Sequence, residues 1–179
     1  MRFNSLIDAL QEALRQQLLL LTELSEEAYC APAQGHLSSS VGKHIRHNLD
    51  HFESFFHGLD ACQIDYENRS RQGQIESISE VAIAVLEDLI VQLQALRTED
   101  ERELAVREES AAGANQRRWL KSSLGRELQF LLGHTVHHNA LIAMIVDRHG
   151  LALPEGFGIA PSTLRHQQVP HTPENICAH

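Results

Sequence analysis

Apolar side chains recur at three- and four-residue steps over residues 4–29, at Leu6, Ile7, Leu10, Ala13, Leu14, Leu18, Leu21 and Leu24. One face of a helix repeats at that period, so the pattern predicts an amphipathic helix with Asn4 or Ser5 as its cap. The stretch CAPAQGHLSSS ends it, because proline cannot continue the hydrogen-bond ladder and glycine disfavours it. A second helix is expected from about Ser40 to Ala61, capped by Ser38, Ser39 or Ser40. Its apolar set is Val41, Ile45, Leu49, Phe52, Phe55, Phe56 and Leu59. A third runs over 75–98, with Ile78, Val81, Ala82, Val85, Leu89, Leu93 and Leu96 in register. A fourth starts near Ser122 or Ser123 and closes at Gly150, a C-cap residue, with Pro154 barring continuation.

Between these stripes the chain changes character. Residues 62–74, CQIDYENRSRQGQ, carry no stripe and read as a structured loop. Within 99–121, ELAVRE and RRWLKS flank the turn-like SAAGAN and read either as a small hairpin or as irregular chain. Residues 151–168 read as an ordered strap and 169–179 as a frayed tail. Four amphipathic helices of this length predict an all-α fold: a four-helix bundle in a single domain, 1–179. Long loops after the second and third helices are expected to cross one end of it and cover a site.

Composition narrows the function classes. Fifteen basic residues against 24 acidic ones leave a net charge of −9, which argues against a generic grip on nucleic acid or an anionic membrane surface. The apolar runs are too short for a membrane span, and the N-terminus lacks a signal-peptide core. Cys30, Cys62 and Cys177 form no close pair, so no disulfide scaffold is indicated and a cytoplasmic setting is expected.

Histidine is the anomaly: of twelve, six fall in the short segments 44–51 and 134–138. On a wheel of about 100° per residue, His44, His47 and His51 lie within or beside the apolar arc of the second helix. Lys43, Arg46, Asp50 and Glu53 lie on its other side. On the fourth helix His134 and His138 face inward together, Glu127 lies two turns earlier on the same face, and His137 sits at the edge. An inward i,i+4 histidine pair holds one divalent ion through two imidazoles, and a third from a facing helix leaves a coordination position open. Zn or Ni suits such a set, as do Fe and Co. The competing reading is a hydrogen-bonded histidine network with Glu127 and Asn48. HTVHH lacks the glutamate of HExxH, so it is not the usual zinc-protease helix.

The pieces SSVGKHIRHNLDHFESF, GRELQFLLGHTVHHNALI, DYENRSR and FGIAPSTLRH resemble the DinB/YfiT-like superfamily of metal-binding helical bundles, in an uncharacterised branch. The resemblance spans most of the chain, and only the histidine positions are diagnostic. It implies His47, His134 and His138 as metal ligands, with the additional inward His44 and His51 able to displace His47 or support it. It also implies a homodimer, and activities that include thiol-dependent transferases and hydrolase-like relatives.

Further roles follow from residue type. Glu127 is a candidate general base or partner to a ligand, and His51 and His137 are candidate proton relays. Arg69 and Arg71 are candidates for gripping a carboxylate, including that of a low-molecular-weight thiol cofactor, with Asp65 and Tyr66 in the same loop. Trp119 and Phe157 read as loop anchors in preference to lids. The reading that emerges is a metal-dependent enzyme acting on a small molecule, a thiol-dependent transferase or a hydrolase. The alternatives are a non-catalytic metal-binding or stress-related interaction protein, and a helical adaptor.

Overall fold

The computed structural model describes residues 3–33, 39–68, 73–96, 101–109, 118–147 and 150–168. In chain order the elements are α1 (Asn4–Glu23), α2 (Glu26–Cys30), α3 (Val41–Leu59), β1 (Gln63–Ile64), α4 (Gly73–Ser77), α5 (Ser79–Ala95), β2 (Glu103–Arg107), β3 (Trp119–Ser123), α6 (Leu124–Val146) and α7 (Pro161–Gln168). The expectation of an all-α four-helix bundle is overturned: the described residues form seven helices and a three-stranded mixed sheet. Helical periodicity reports only elements long enough to show a stripe. It is blind to a two-residue strand and to five-residue helices.

The helix ends show what local chemistry does. The apolar stripe of 4–29 continues past Glu23, but the helix does not. Ser25 adopts an extended backbone and its side chain accepts from the Ala28 N–H at 3.2 Å, so it caps the separate α2. Ser40 caps α3 by accepting from the Lys43 N–H, and Ser123 caps α6 by accepting from the Arg126 N–H. At α5 the cap comes from elsewhere in the chain: Glu26 Oε1 accepts from the Ser79 N–H at 2.8 Å and from its hydroxyl at 2.6 Å. A carboxylate at a helix N-terminus also meets the positive end of the helix dipole. Tyr29, fully buried on α2, donates its hydroxyl to the Ile75 carbonyl of α4, and burial pushes its phenol pKa up.

The core lies between the long helices. α1 packs on α5 and α6, and α3 packs on α5 and α6. Ile7, Leu10, Leu14, Ile45, Leu49, Phe52, Phe55, Leu86, Leu128, Leu131 and Ile142 are all fully buried there. Contacts between α3 and α6 join His44 to His138 and His51 to His134, so the two helices run antiparallel.

The sheet has the order β1-β2-β3. β2 and β3 pair antiparallel, Arg107 opposite Trp119 and Glu103 opposite Ser123, which is the hairpin reading of that region. β1 pairs parallel with β2 through Gln63–Ala105 and Ile64–Val106, and no stripe announced it. Ile64 is fully buried and Leu104 nearly so, and these two anchor the sheet to the helices. Gly58, near the end of α3, lets β1 approach: a Cβ there would strike the Gln63 carbonyl oxygen and the Ile64 side chain. β3 runs directly into α6, so the sheet is coupled rigidly to the helix that carries His134 and His138.

The strap after α6 is ordered and holds α7, a helix absent from the expectation. Gly158, at φ +73°, lies against the Ala140 backbone where no side chain fits, and Phe157 is buried in the core. Phe157 is therefore a loop anchor. Residues 169–179, expected to fray, lie outside the described residues. No helix among the described residues is long and apolar enough to cross a membrane.

Candidate metal centre

Five imidazoles converge where α3 faces α6. Ring centroids lie 4.0 Å apart for His51 and His134, 4.5 Å for His134 and His138, 4.7 Å for His47 and His138, 5.1 Å for His47 and His134, and 5.3 Å for His44 and His138. The side chains that meet here are those that the helical wheel turned inward.

Within that cluster one group has metal-binding spacing. His47, His51 and His134 each offer a ring nitrogen, and the three nitrogens lie within 4.8 Å of one another. Three histidines can therefore hold a metal ion. The i,i+4 pair in this group is His47 and His51 of α3, with a single histidine from α6. His138, which the resemblance made a ligand, stands beside the group with its Nδ1 3.1 Å from His44 Nδ1. An antiparallel pairing explains the difference. The His138 ring, one turn along α6 from His134, approaches both His47 and His44, at 4.7 and 5.3 Å between centroids, and turns its Nδ1 onto His44, whereas the His134 ring approaches His51 and His47 at 4.0 and 5.1 Å.

The donor set fits a late first-row divalent ion. His47 Nε2 and His134 Nε2 are 3.3 Å apart. Two nitrogens on a tetrahedral zinc, each about 2.0–2.1 Å from the metal, are separated by about 3.3–3.4 Å. His51 Nδ1 lies 2.8 Å from the His47 carbonyl oxygen, which can only accept, so the proton of the neutral ring sits on Nδ1 and Nε2 keeps its lone pair. Burial and then the neighbouring imidazoles push His134 down to about 2, and His138 down to about 3 for the same reasons. Both rings are thus neutral at physiological pH, the form that binds metals. His44 is also shifted down by burial, and its Nε2 is buried with no hydrogen-bond partner among the described residues.

The three histidines open on a cavity of about 430 Å³. Tyr66 and Phe130 form aromatic walls, Val106 and Leu120 come from the hairpin, and Arg107, Arg126, Glu67, Glu108 and Glu109 ring the mouth. The sheet that overturned the all-α expectation is therefore one wall of the site. A larger groove of about 1060 Å³ lies between α3 and α5, lined by Phe56, Val81, Val85 and Leu89 with Glu53, Glu80 and Asp88. It lies apart from the five-histidine cluster.

Glu127 is fully buried and fully engaged. Tyr66 donates to Oε2 at 2.8 Å, Arg126 donates to Oε1 at 2.8 Å, and the Ser122 hydroxyl also donates to Oε1. These contacts place it as the tie between the β1 loop, β3 and α6, and not against a ligand imidazole. Tyr66 stacks on His51 with centroids 5.5 Å apart, and burial and Glu127 push its hydroxyl pKa up. The DYENRSR segment thus reaches the site through Tyr66. Arg69 and Arg71, the expected grips for a carboxylate, lie outside the described residues. His137 is exposed and meets the cluster only by an edge contact with His138 at 5.2 Å, on a side away from the cavity. Trp119 is exposed, with the Arg107 guanidinium 5.3 Å above its ring.

Sequence reasoning gave no site role to Arg107, Phe130, Val106 or Leu120. Three of these sit on the hairpin, whose alternation is too short to show which face is inward. Phe130 alone carried a signal, since it lies one helical turn before His134.

Comparisons with known proteins add little to this. No family model and no solved structure matches the chain. A 46-residue stretch is 50% identical to FK506-binding protein 5 of Rhizopus delemar, and it covers 26% of this chain and 12% of that protein's length.

Proposed function

We propose that the chain is a metal-dependent enzyme acting on a small molecule, with a divalent transition ion held by His47, His51 and His134. The observation that carries this reading is the convergence of three imidazole nitrogens, within 4.8 Å of one another, on the floor of a cavity open to substrate. Three protein ligands leave a tetrahedral or larger coordination shell incomplete, which is the catalytic pattern and not the structural one. Zn or Ni is the preferred ion. A divalent ion held there supplies Lewis acidity toward an oxygen or sulfur nucleophile.

The chain's own residues do the rest. His51 is oriented by its bond to the His47 carbonyl and by the Tyr66 ring stacked on it. Glu127, through Tyr66, Ser122 and Arg126, holds the β1 loop and β3 against α6 so that the walls keep their spacing. Tyr66, Phe130, Val106 and Leu120 exclude water from one side. Arg107 and Arg126 offer positive charge to an anionic group of the substrate.

The resemblance to the DinB/YfiT-like superfamily supports the metal and suggests thiol transfer or hydrolysis as the reaction and a homodimer, while the sparse, unpaired cysteines suggest a cytoplasmic setting. The 46-residue likeness to FK506-binding protein 5 covers too little of either chain to carry a ligand across. Elemental analysis of protein purified without a histidine tag tests the reading, beside a His47→Ala/His51→Ala/His134→Ala variant checked for folding. About one metal per chain, lost in the folded variant, supports the site and directs screening to thiol transfer and hydrolysis. No uptake of Zn, Ni, Co or anaerobic Fe(II) sinks it and leaves a histidine-rich interaction protein.

A further inference from the structure

A run of buried amides crosses the core behind the histidines. It begins at the Ala13 carbonyl of α1, to which the Asn139 Nδ2 amide donates at 3.3 Å. Asn139 Oδ1 accepts from Gln17 Nε2 at 2.6 Å. Gln17 Oε1 accepts from Asn48 Nδ2 at 3.5 Å, and Asn48 Oδ1 lies 3.3 Å from His134 Nδ1. Gln17 and Asn48 are fully buried and Asn139 is 1% exposed, so bulk solvent cannot repair a mismatched link.

The direction of this run is forced from one end. A backbone carbonyl only accepts, so Asn139 must turn its NH₂ toward Ala13 and its oxygen toward Gln17. Gln17 must then give its NH₂ to Asn139 and its oxygen to Asn48. Asn48 must give its NH₂ to Gln17, which leaves its oxygen facing His134. Reversing any one amide sets oxygen against oxygen, or NH₂ against NH₂, in a buried site where an unmade hydrogen bond is most costly. Resting on the metal reading above, we propose that Gln17, Asn48 and Asn139 are positioning residues. Their one-way amide relay holds His134 with its proton on Nδ1, so that the Nε2 lone pair is presented to the metal beside His47.

This explains why three polar side chains sit in the stripes of three core helices where leucine would pack. It also differs from a packing role in what it predicts. The relay acts through the intervening Asn48, so a change at Gln17 reaches a ring it does not touch. Oriented partners of metal-binding histidines typically contribute tenfold to a hundredfold in metal affinity.

The test is the tautomer of His134, read from long-range ¹H–¹⁵N correlations of its ring in metal-free protein at neutral pH. Zn affinity is measured in parallel by competition with a chelator. In the natural protein Nδ1 should be protonated and Nε2 bare. Gln17→Met, close in shape but unable to pass the polarity on, should populate the other tautomer and weaken Zn about tenfold to a hundredfold. The double variant Gln17→Met/Asn139→Leu leaves no unmatched amide upstream of Asn48 and serves if the single variant folds poorly. Asn48→Asp keeps an acceptor opposite His134 Nδ1 and should retain the natural tautomer, whereas Asn48→Leu should lose it. A proton on Nε2 in the natural protein, or an unchanged tautomer in folded Gln17→Met, overturns the relay. If Zn fails to bind the natural protein while Gln17→Met still shifts the tautomer, the relay stands and the metal reading falls. Zn binding with no tautomer shift has the opposite meaning.

Discussion

His44 and His138 meet through their Nδ1 atoms at 3.1 Å, one from α3 and one from α6. Two neutral imidazoles at that distance share a single proton between facing nitrogens, so the pair is a hydrogen-bonded unit. Its His138 ring lies 4.5 Å from His134 and 4.7 Å from His47 between centroids.

This arrangement ranks the ligands. His51→Ala should lower metal affinity by a hundredfold or more, since losing a direct ligand costs at least as much as losing an oriented partner, about tenfold to a hundredfold. His138→Ala should cost about tenfold or less. Metal stoichiometry after dialysis against a graded chelator series checks this. If His138→Ala strips the metal and His51→Ala keeps it, the ligand set is the one implied by the family resemblance.

Tyr66→Phe removes the donor to Glu127 Oε2 and leaves a buried carboxylate oxygen with one fewer partner. A destabilisation of about 1–3 kcal/mol is expected. Metal content should be unchanged, because the aromatic ring still stacks on His51. Urea unfolding and elemental analysis on the same sample check both parts, and metal loss in a folded variant would contradict the positional role given to Tyr66.

Acid should destabilise the protein below about pH 6.5. An unfolded histidine takes up its proton near that value, whereas folded His134 and His138 stay neutral down to about 2 and 3. Between those limits the unfolded chain holds more protons, so stability is fully present above about pH 6.5 and is lost as the pH falls. Each histidine contributes a slope of at most about 1.4 kcal/mol per pH unit. Chemical denaturation of metal-free protein at a series of pH values checks the sign. A flat profile between about pH 6.5 and about pH 5 would show that these rings are not held neutral in the folded state.

The sheet is open to its own test. Ile64→Ala removes the one fully buried side chain of β1, at an expected cost of about 2–5 kcal/mol. Gly58→Ala forces a Cβ against the Gln63 carbonyl oxygen, at about 1–3 kcal/mol. Thermal unfolding reads both. Neutral effects at both positions would mean that β1 does not dock on the end of α3 as described.

Azimuth around a helix is written in residue spacing, and that is why so much of the centre was visible from the chain alone. The 3.6-residue period marks which side chains turn inward, and it placed His44, His47, His51, His134 and His138 on buried faces along with Glu127. Serine caps before α3 and α6 were legible for the same local reason. Height along the helix axis is not local. It depends on how α3 slides against α6, and that offset sets the His134 ring against His51 and turns His138 Nδ1 onto His44. Nor is pairing between strands local: β1 exists because Ile64 and Gln63 find Val106 and Ala105 about forty residues away, which no periodicity over two residues can announce. The Glu26 cap on α5 and the relay from Ala13 to His134 belong to the same class. Each depends on groups far apart in the chain that become neighbours only when the core closes.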